Sequence, residues 1–165
     1  MHAPPDRLFE ANEILLALAE HGVDFVVIGG IAVQTHGYIR GTRDVDVVAR
    51  PTVLNFTRLS EALADLRAEP RAAGVPKLTD PHALSRAPLI PVLTSAGPLD
   101  VVHVEHLAGG PRDYDSLRDA ALRVELEGRE IAVAGLPDLV RMKRAAGRDQ
   151  DLMDIEALTR PAEST

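Results

Sequence analysis

The stretch that decides the fold spans residues 25–48 and reads FVVIGGIAVQTHGYIRGTRDVDVV. Its first four residues form a continuous apolar run, which predicts a buried strand. The run ends at the pair Gly29-Gly30, and an apolar segment of helical length follows. A second strand is predicted at about residues 44–49. The stretch therefore predicts a strand, a glycine turn, a helix and a strand, in that order.

Two aspartates, Asp44 and Asp46, open the second strand. Side chains of a strand alternate between its two faces, so both carboxylates are expected on the same face. Two carboxylates side by side on a core strand repel each other and resist burial unless a cation neutralises them. Mg²⁺ is commonly held by one or two carboxylates together with the phosphates of a substrate. The pair therefore predicts a magnesium site.

The glycine pair predicts the phosphate half of such a site. Because Gly29 and Gly30 lack a Cβ atom, a phosphate is able to approach the backbone closely at this turn. The N-terminus of the following helix offers free N–H groups and the positive end of its dipole to the same anion. A phosphate-bearing substrate bound next to Asp44 and Asp46 is thus expected.

Length and composition limit the class of protein. The chain has 165 residues, which favours a single domain over residues 1–165. The net charge of −7 argues against a general nucleic-acid coat, although it leaves room for a local basic groove. The absence of cysteine excludes disulfides and thiolate metal sites. Residues 1–6 lack the features of a signal peptide and no apolar run reaches membrane-spanning length, so we expect a cytoplasmic protein without a membrane partner.

Hydrophobic periodicity and turn residues predict the other elements. The predicted helices are a first one that ends at His21-Gly22, then about 30–37, 52–66, 113–121 and 136–146, and a last one around 152–158. The predicted strands are 24–28, 44–49, a hairpin of 89–94 and 99–104 with a four-residue loop, and a hairpin of 123–126 and 129–133, while 69–81 is predicted as a loop. We therefore expect a mixed α/β (α+β) domain, with a small mixed or mostly antiparallel β-sheet and helices packed against it.

Two motifs at this spacing resemble those of the nucleotidyltransferase superfamily, which includes polymerase β: Gly29-Gly30-x-Ala32 and Arg40-x-Thr42-x-Asp44-x-Asp46. They are most similar to small bacterial enzymes of the abortive-infection and toxin–antitoxin type. The serine that usually follows the first glycine is replaced by Gly30, which leaves phosphate contact to the backbone and to arginine. The resemblance covers roughly residues 23–50 and 99–158 and implies a nucleotidyltransferase-like core.

The resemblance also implies a third carboxylate on a neighbouring strand, and Asp100 is the candidate. Its implied role is to complete the metal site of Asp44 and Asp46 and to help deprotonate the attacking hydroxyl. Three clustered acids are able to hold two Mg²⁺ ions that clamp the attacking and leaving oxygens. Considered alone, Asp100 is equally well interpreted as a carboxylate at a sheet edge or turn that faces water.

The candidate triphosphate ligands are the Gly29-Gly30 turn and the segment with Arg40, Thr42 and Arg43. The guanidinium fork of arginine matches phosphate oxygens. The alternative is that Arg40 or Arg43 pairs with Asp44 or Asp100, or lies in water.

Near the C-terminus, the resemblance implies that Lys143 reaches the triphosphate and that Asp151 supports it. Without the resemblance, a helical lysine is normally solvated, and Asp151 would be an acid favoured by a helix N-terminus.

The implied reaction is Mg²⁺-dependent transfer of a nucleoside monophosphate from an NTP, such as ATP, to an acceptor hydroxyl. The implied acceptor is a tRNA 3′ end or a protein, and the enzyme would be a toxin with an antitoxin partner. A basic cluster supports a nucleic-acid acceptor: Arg141, Lys143, Arg144 and Arg148. Three alternatives stay open, namely a small antibiotic acceptor, a non-catalytic member that binds nucleotide or a partner, and a purely structural domain.

Overall fold

The computed structural model describes residues 9–160, so residues 1–6, in which the sequence analysis found no signal-peptide features, lie outside the described residues. The helices are α1 Ala11–Glu20, α2 Gly29–Thr35, α3 Val53–Asp65, α4 Pro81–Arg86, α5 Tyr114–Asp119, α6 Leu136–Ala146 and α7 Asp149–Thr159. The strands are β1 Phe25–Ile28, β2 Val45–Ala49, β3 Glu69–Pro70, β4 Leu89–Thr94, β5 Gly97–Val102, β6 Leu122–Leu126 and β7 Arg129–Val133.

The seven strands form one mixed sheet in the order β3-β4-β5-β2-β1-β7-β6. Its centre combines both pairing directions, because β1 is antiparallel to β2 and parallel to β7, while β2 is parallel to β5. The hairpins β4–β5 and β6–β7 complete the two sides. This arrangement confirms the predicted mixed α/β architecture.

The central strands are covered by helices, which explains their almost continuous apolar sequence. All four residues of β1 are buried, and every residue of β2 except Asp46 is buried as well. On α3, Leu59 and Leu63 lie on the predicted apolar face and are fully buried. Asp46 is therefore the one polar side chain on a strand that packing otherwise keeps apolar.

Two predictions about the region from residue 69 to residue 98 are wrong. The β4–β5 loop has two residues rather than four, because β5 begins at Gly97 and Pro98 pairs with Leu93. Within the predicted loop, Glu69–Pro70 forms a short edge strand against β4. Glu69–Pro70 was missed because a strand of two residues has no detectable periodicity. Gly97 and Pro98 were assigned to the loop because glycine and proline normally indicate a turn.

No helix within residues 9–160 is long and apolar enough to cross a membrane.

Candidate active site

Three carboxylates meet at one end of the central strands. Asp46 on β2 lies directly opposite Asp100 on β5 in the parallel register, and Asp44 precedes β2 by one residue. One oxygen of each carboxylate lies within 4.8 Å of the other two, a spacing at which one cation is able to contact all three. The structure thus brings together the three acids that the sequence singled out.

The electrostatics of this cluster favour a cation. Burial, with Asp44 and Asp100 close by, raises the pKa of Asp46 to about 7, and nearby Lys143 opposes that rise. An acidic group with such a pKa is costly to ionise in the protein alone and gains most from a positive ion beside it. The all-oxygen donor set matches the ligand preference of Mg²⁺. The residues present therefore fit a divalent metal.

Asp100 has a partner that sequence reasoning missed. The guanidinium of Arg71, which follows β3, donates a hydrogen bond to Asp100, and the Arg71 backbone N–H donates to the Pro91 carbonyl at 2.9 Å. Because β5 lies between β4 and β2, the interpretation of Asp100 as a carboxylate at a sheet edge is wrong. No local pattern links Arg71 to Asp100, since the contact depends on the pairing of β3, β4 and β5.

The glycine pair makes room for side chains of the protein itself. Gly29 has a φ of +69°, and a Cβ atom there would overlap the carboxylate of Asp46. A Cβ atom at Gly30 would lie 2.5 Å from Thr42 Oγ1 and 3.3 Å from a terminal nitrogen of Arg40. The turn therefore lets Asp46 and Thr42 pack against the backbone, and the approach of a phosphate to the same turn stays a prediction.

The segment before β2 is held by a buried acid. Nε and Nη2 of Arg40 donate to the two carboxylate oxygens of Asp154 at 2.8 and 2.9 Å, so Arg40 pairs with neither Asp44 nor Asp100. Arg43 lines the same pocket and has no carboxylate within 4.0 Å in the described part of the chain. Of the two arginines, Arg43 is thus the one without an anionic partner.

Lys143 is buried rather than solvated, with 7 % of its surface exposed. Its Nζ lies 3.3 Å from Asp151 Oδ1 and 3.0 Å from Asp154 Oδ2. Asp151 also accepts hydrogen bonds from the Arg148 backbone N–H at 3.1 Å and from Arg148 Nε at 2.7 Å. It therefore pairs with the lysine and caps α7 at once, which combines the two interpretations drawn from the sequence.

Asp154 is a further residue that the sequence analysis missed. Its side chain is fully buried, and it joins Arg40 to Lys143. Burial would raise the pKa of Asp154, but hydrogen bonds from Arg40, Gln150 and Lys143 hold it below its usual value. An aspartate one helical turn after Asp151, on the same side of α7, was the signal that could have identified it.

The pocket in front of the carboxylates has a volume of about 610 Å³. Nine of its lining residues are charged residues or histidine: Arg40, Arg43, Asp44, Asp46, Asp100, His106, Lys143, Arg148 and Asp151. In the basic cluster predicted around Lys143, three of the four side chains are paired, Lys143 and Arg148 with Asp151 and Arg141 with Asp138, whereas Arg144 is exposed and has no carboxylate within 4.0 Å among residues 9–160. Cations and carboxylates therefore line the same pocket.

Comparison with known proteins identifies a matching family. Residues 6–159 match the family described as "Nucleotidyltransferase of unknown function (DUF6036)". No curated protein has significant sequence similarity to the chain.

Several solved structures share the fold. The solution structure of the antibiotic-resistance factor ANT(2″)-Ia has a TM-score of 0.59 at 11% identity, over 90% of this chain and 80% of that one. A crystal structure of ANT(2″)-Ia in complex with adenylyl-2″-tobramycin has a TM-score of 0.57 at 11% identity, over 90% and 84%. A putative nucleotidyltransferase from Thermotoga maritima has a TM-score of 0.57 at 13% identity, over 89% and 88%.

Proposed function

The chain belongs to the DUF6036 family of nucleotidyltransferases, and we propose that it transfers a nucleoside monophosphate from a Mg²⁺-bound NTP to a hydroxyl of a nucleic-acid acceptor. Family membership confirms the superfamily and the class of enzyme that the sequence predicted. The metal, the residue roles and the acceptor are parts of the proposal, as is the assignment of residues 1–165 to a single domain.

One observation carries the proposal. A cluster of three carboxylates lines one pocket together with Lys143, Arg43 and the Gly29-Gly30 turn. A carboxylate cluster suits divalent cations, whereas arginine and lysine suit phosphate oxygens. A metal–triphosphate complex needs both kinds of group at once, and in-line phosphoryl transfer depends mainly on positioning and charge neutralisation.

Asp44, Asp46 and Asp100 would hold the magnesium, whose chemistry is to neutralise charge on the phosphate oxygens. In the reaction, a bond forms between the acceptor oxygen and the α-phosphorus, and the bond from that phosphorus to the β-phosphate oxygen breaks, so pyrophosphate leaves. The proton of the acceptor hydroxyl passes to the carboxylate of Asp100 and from there to water.

The nucleotide would be bound by other groups that line the pocket. Arg43, Lys143 and the backbone at Gly29-Gly30 would contact the triphosphate. Arg40 and Thr42 would hold the loop in place, because Arg40 is anchored on Asp154 and the Thr42 hydroxyl donates to the Asp44 carbonyl at 3.3 Å. Asp151 would orient the ammonium of Lys143.

The charge of the pocket favours a phosphate-bearing acceptor over a polycationic antibiotic. Apart from the three carboxylates of the metal cluster, Asp151 is the one acid among its lining residues, and it is already paired with Lys143 and Arg148. A polycation would need carboxylates that are not committed to metal or lysine. His106, a lining residue that is not assigned to the triphosphate, is able to donate a hydrogen bond to a phosphate of a nucleic acid such as a tRNA 3′ end.

Two other acceptor classes are carried as alternatives. The fold shared with ANT(2″)-Ia, seen in complex with adenylyl-2″-tobramycin, favours a test of aminoglycosides despite the pocket charge. The resemblance to abortive-infection enzymes favours a protein hydroxyl and a toxin controlled by an antitoxin.

The deciding experiment offers each α-³²P-labelled NTP, with Mg²⁺, to purified tRNA, to a protein extract and to tobramycin in parallel. The control is the double variant Asp44→Asn/Asp46→Asn, checked for normal circular dichroism. Label on tRNA from the wild type alone, with pyrophosphate release, supports the proposal. Label on protein alone or on tobramycin alone would show that the acceptor is a protein or an aminoglycoside rather than tRNA. Equal activity in the double variant would show that Asp44 and Asp46 do not hold a metal that the reaction needs.

The toxin hypothesis has its own test. Induced expression of the wild type, but not of the double variant, should slow bacterial growth if tRNA 3′ ends are blocked. Normal growth together with tRNA labelling in vitro would support the proposed enzyme activity and contradict the toxin hypothesis.

A further inference from the structure

Strand β6 forms a free edge of the sheet. It reads Leu-Arg-Val-Glu-Leu, pairs with β7 in unbroken register, and has no strand on its other side within residues 9–160. An edge without proline or a bulge presents a row of N–H and C=O groups to any strand that approaches it. The opposite edge, β3, is two residues long and contains Pro70, so it offers no such row.

The hairpin turn determines which residues of β6 direct backbone groups outward. The loop is Glu127-Gly128, with φ of +47° and +80°, which is a two-residue turn of type I′. In such a hairpin the residues that flank the loop bond to each other, and bonded and non-bonded positions then alternate. Residues 122, 124 and 126 thus bond to β7, whereas Arg123 and Glu125 direct their N–H and C=O groups to the free edge.

We propose that β6 pairs with β6 of a second copy of this chain, antiparallel and centred on Val124. Arg123 then lies opposite the partner's Glu125, and Glu125 lies opposite the partner's Arg123. Both positions carry outward backbone groups, so four backbone hydrogen bonds form across the two-fold axis. A shift by two residues would place two arginines or two glutamates opposite each other, which disfavours the neighbouring registers.

The charges on β6 support this partner. Glu125 lies directly opposite Glu130 on β7, and Arg123 Nη1 reaches Glu130 Oε1 at 3.2 Å. Glu125 has no cation within 4.0 Å in the part of the chain that the structure describes. Like charges opposite each other destabilise a sheet, and an arginine from a second copy would relieve that repulsion.

The other face of β6 is also self-complementary. Leu122 is 42% exposed, and in the proposed register it lies opposite the partner's Leu126. Asp46 on β2 is separated from β6 by β1 and β7, a distance on the order of 14 Å at the usual strand spacing. Pairing of the two edges therefore leaves the carboxylate cluster accessible, and this inference does not depend on the proposed reaction.

The test uses sedimentation equilibrium of the full chain over about 1–500 μM, since a short interface of this kind is expected to have a micromolar Kd. Arg123→Glu and Glu125→Arg each place like charges opposite one another in both pairs. Each variant alone should dimerise at least tenfold more weakly than the wild type. The charge-swapped double variant Arg123→Glu/Glu125→Arg should regain dimerisation.

An equimolar mixture of the two single variants provides the sharpest result, because each complements the other. The mixture should form a 1:1 heterodimer although neither component forms a homodimer of comparable strength. A wild type that stays monomeric over the whole range overturns the proposal. So does a wild-type dimer that neither single variant weakens, or a mixture that behaves as the sum of its components.

Discussion

Lys143 donates to Asp154 Oδ2 at 3.0 Å although both side chains are withdrawn from solvent. The same Asp154 holds Arg40 through two hydrogen bonds, so one buried carboxylate connects α7 to α6 and to the loop before β2. A buried charge is tolerated when its partners satisfy it, and removal of one partner leaves the others uncompensated. The arrangement makes Asp154 a structural support for the pocket, which Arg40 and Lys143 themselves line.

Replacement of Lys143 by methionine should destabilise the protein by about 1–3 kcal/mol, because Asp151 and Asp154 each lose one hydrogen-bond partner. Urea denaturation at pH 7 measures the loss. The matched control is Arg144→Met on the same helix, where the side chain is exposed and the change should cost less than about 0.5 kcal/mol. In the double variant Lys143→Met/Asp154→Asn the losses should not add, with a coupling of about 1 kcal/mol or more. Additive losses would mean that the two residues do not interact.

The stability of the protein without metal should depend on pH through Asp46. Burial and the neighbouring Asp44 and Asp100 raise the pKa of Asp46 from 3.8 to about 7. Between pH 3.8 and about pH 7, the unfolded chain has released the Asp46 proton while the folded protein still holds it. The free energy of unfolding therefore falls as pH rises through this range, and the whole loss is present above about pH 7. Asp46→Asn removes the effect. In EDTA, the free energy of unfolding of Asp46→Asn relative to that of the wild type should increase by about 2–3 kcal/mol from pH 5 to pH 8.

Addition of Mg²⁺ at pH 8 should make the wild type more stable than Asp46→Asn, because ligand binding stabilises the folded state that binds the ion. The wild type should then gain stability and Asp46→Asn should gain little. A constant difference between the two proteins at all pH values, with or without Mg²⁺, would contradict a strained carboxylate cluster.

The sequence predicted those features that local pattern controls. The period of two along β2 placed Asp44 and Asp46 on one face, and the predicted helix 136–146 has the same bounds as α6. Arg71 and Asp154 were missed because their contacts join segments far apart in the chain: Arg71 meets Asp100 through the order of β3, β4 and β5, and Asp154 meets Arg40 at a separation of 114 residues. The glycine pair was detected, yet the side chains that fill the space beside it became visible only in three dimensions.

Gly30→Val should abolish stabilisation by Mg·NTP. A Cβ atom at this position meets the Thr42 hydroxyl at 2.5 Å, so Thr42 and the loop that carries Arg40 and Arg43 must move. Thermal unfolding with and without Mg·ATP measures the effect. Gly41→Ala is the matched control, because its Cβ atom meets nothing within 4 Å, and it should keep the wild-type shift. An unchanged shift in Gly30→Val would place the triphosphate elsewhere.

Asp100→Ala should separate nucleotide binding from transfer. Asp44 and Asp46 stay in place to hold the metal–nucleotide complex, so calorimetric titration should give an affinity for Mg·NTP within about tenfold of the wild type. The acceptor hydroxyl loses its base, which is worth about 10²–10⁴-fold in rate. Arg71 is left without its carboxylate partner, but it is one-third exposed, and water is able to solvate it. The fold should therefore persist.

Asp115→Ala is the control for Asp100→Ala. Asp115 also pairs with an arginine, Arg50, but it is 71% exposed and does not line the pocket, so both binding and transfer should stay at wild-type levels. Full transfer by Asp100→Ala would remove this residue from the reaction and leave Asp44 and Asp46 as the acids that carry it. Loss of binding as well as transfer would instead make Asp100 a principal ligand of the nucleotide-bound metal. Only the intermediate result, binding kept and transfer lost, matches a carboxylate that acts on the acceptor.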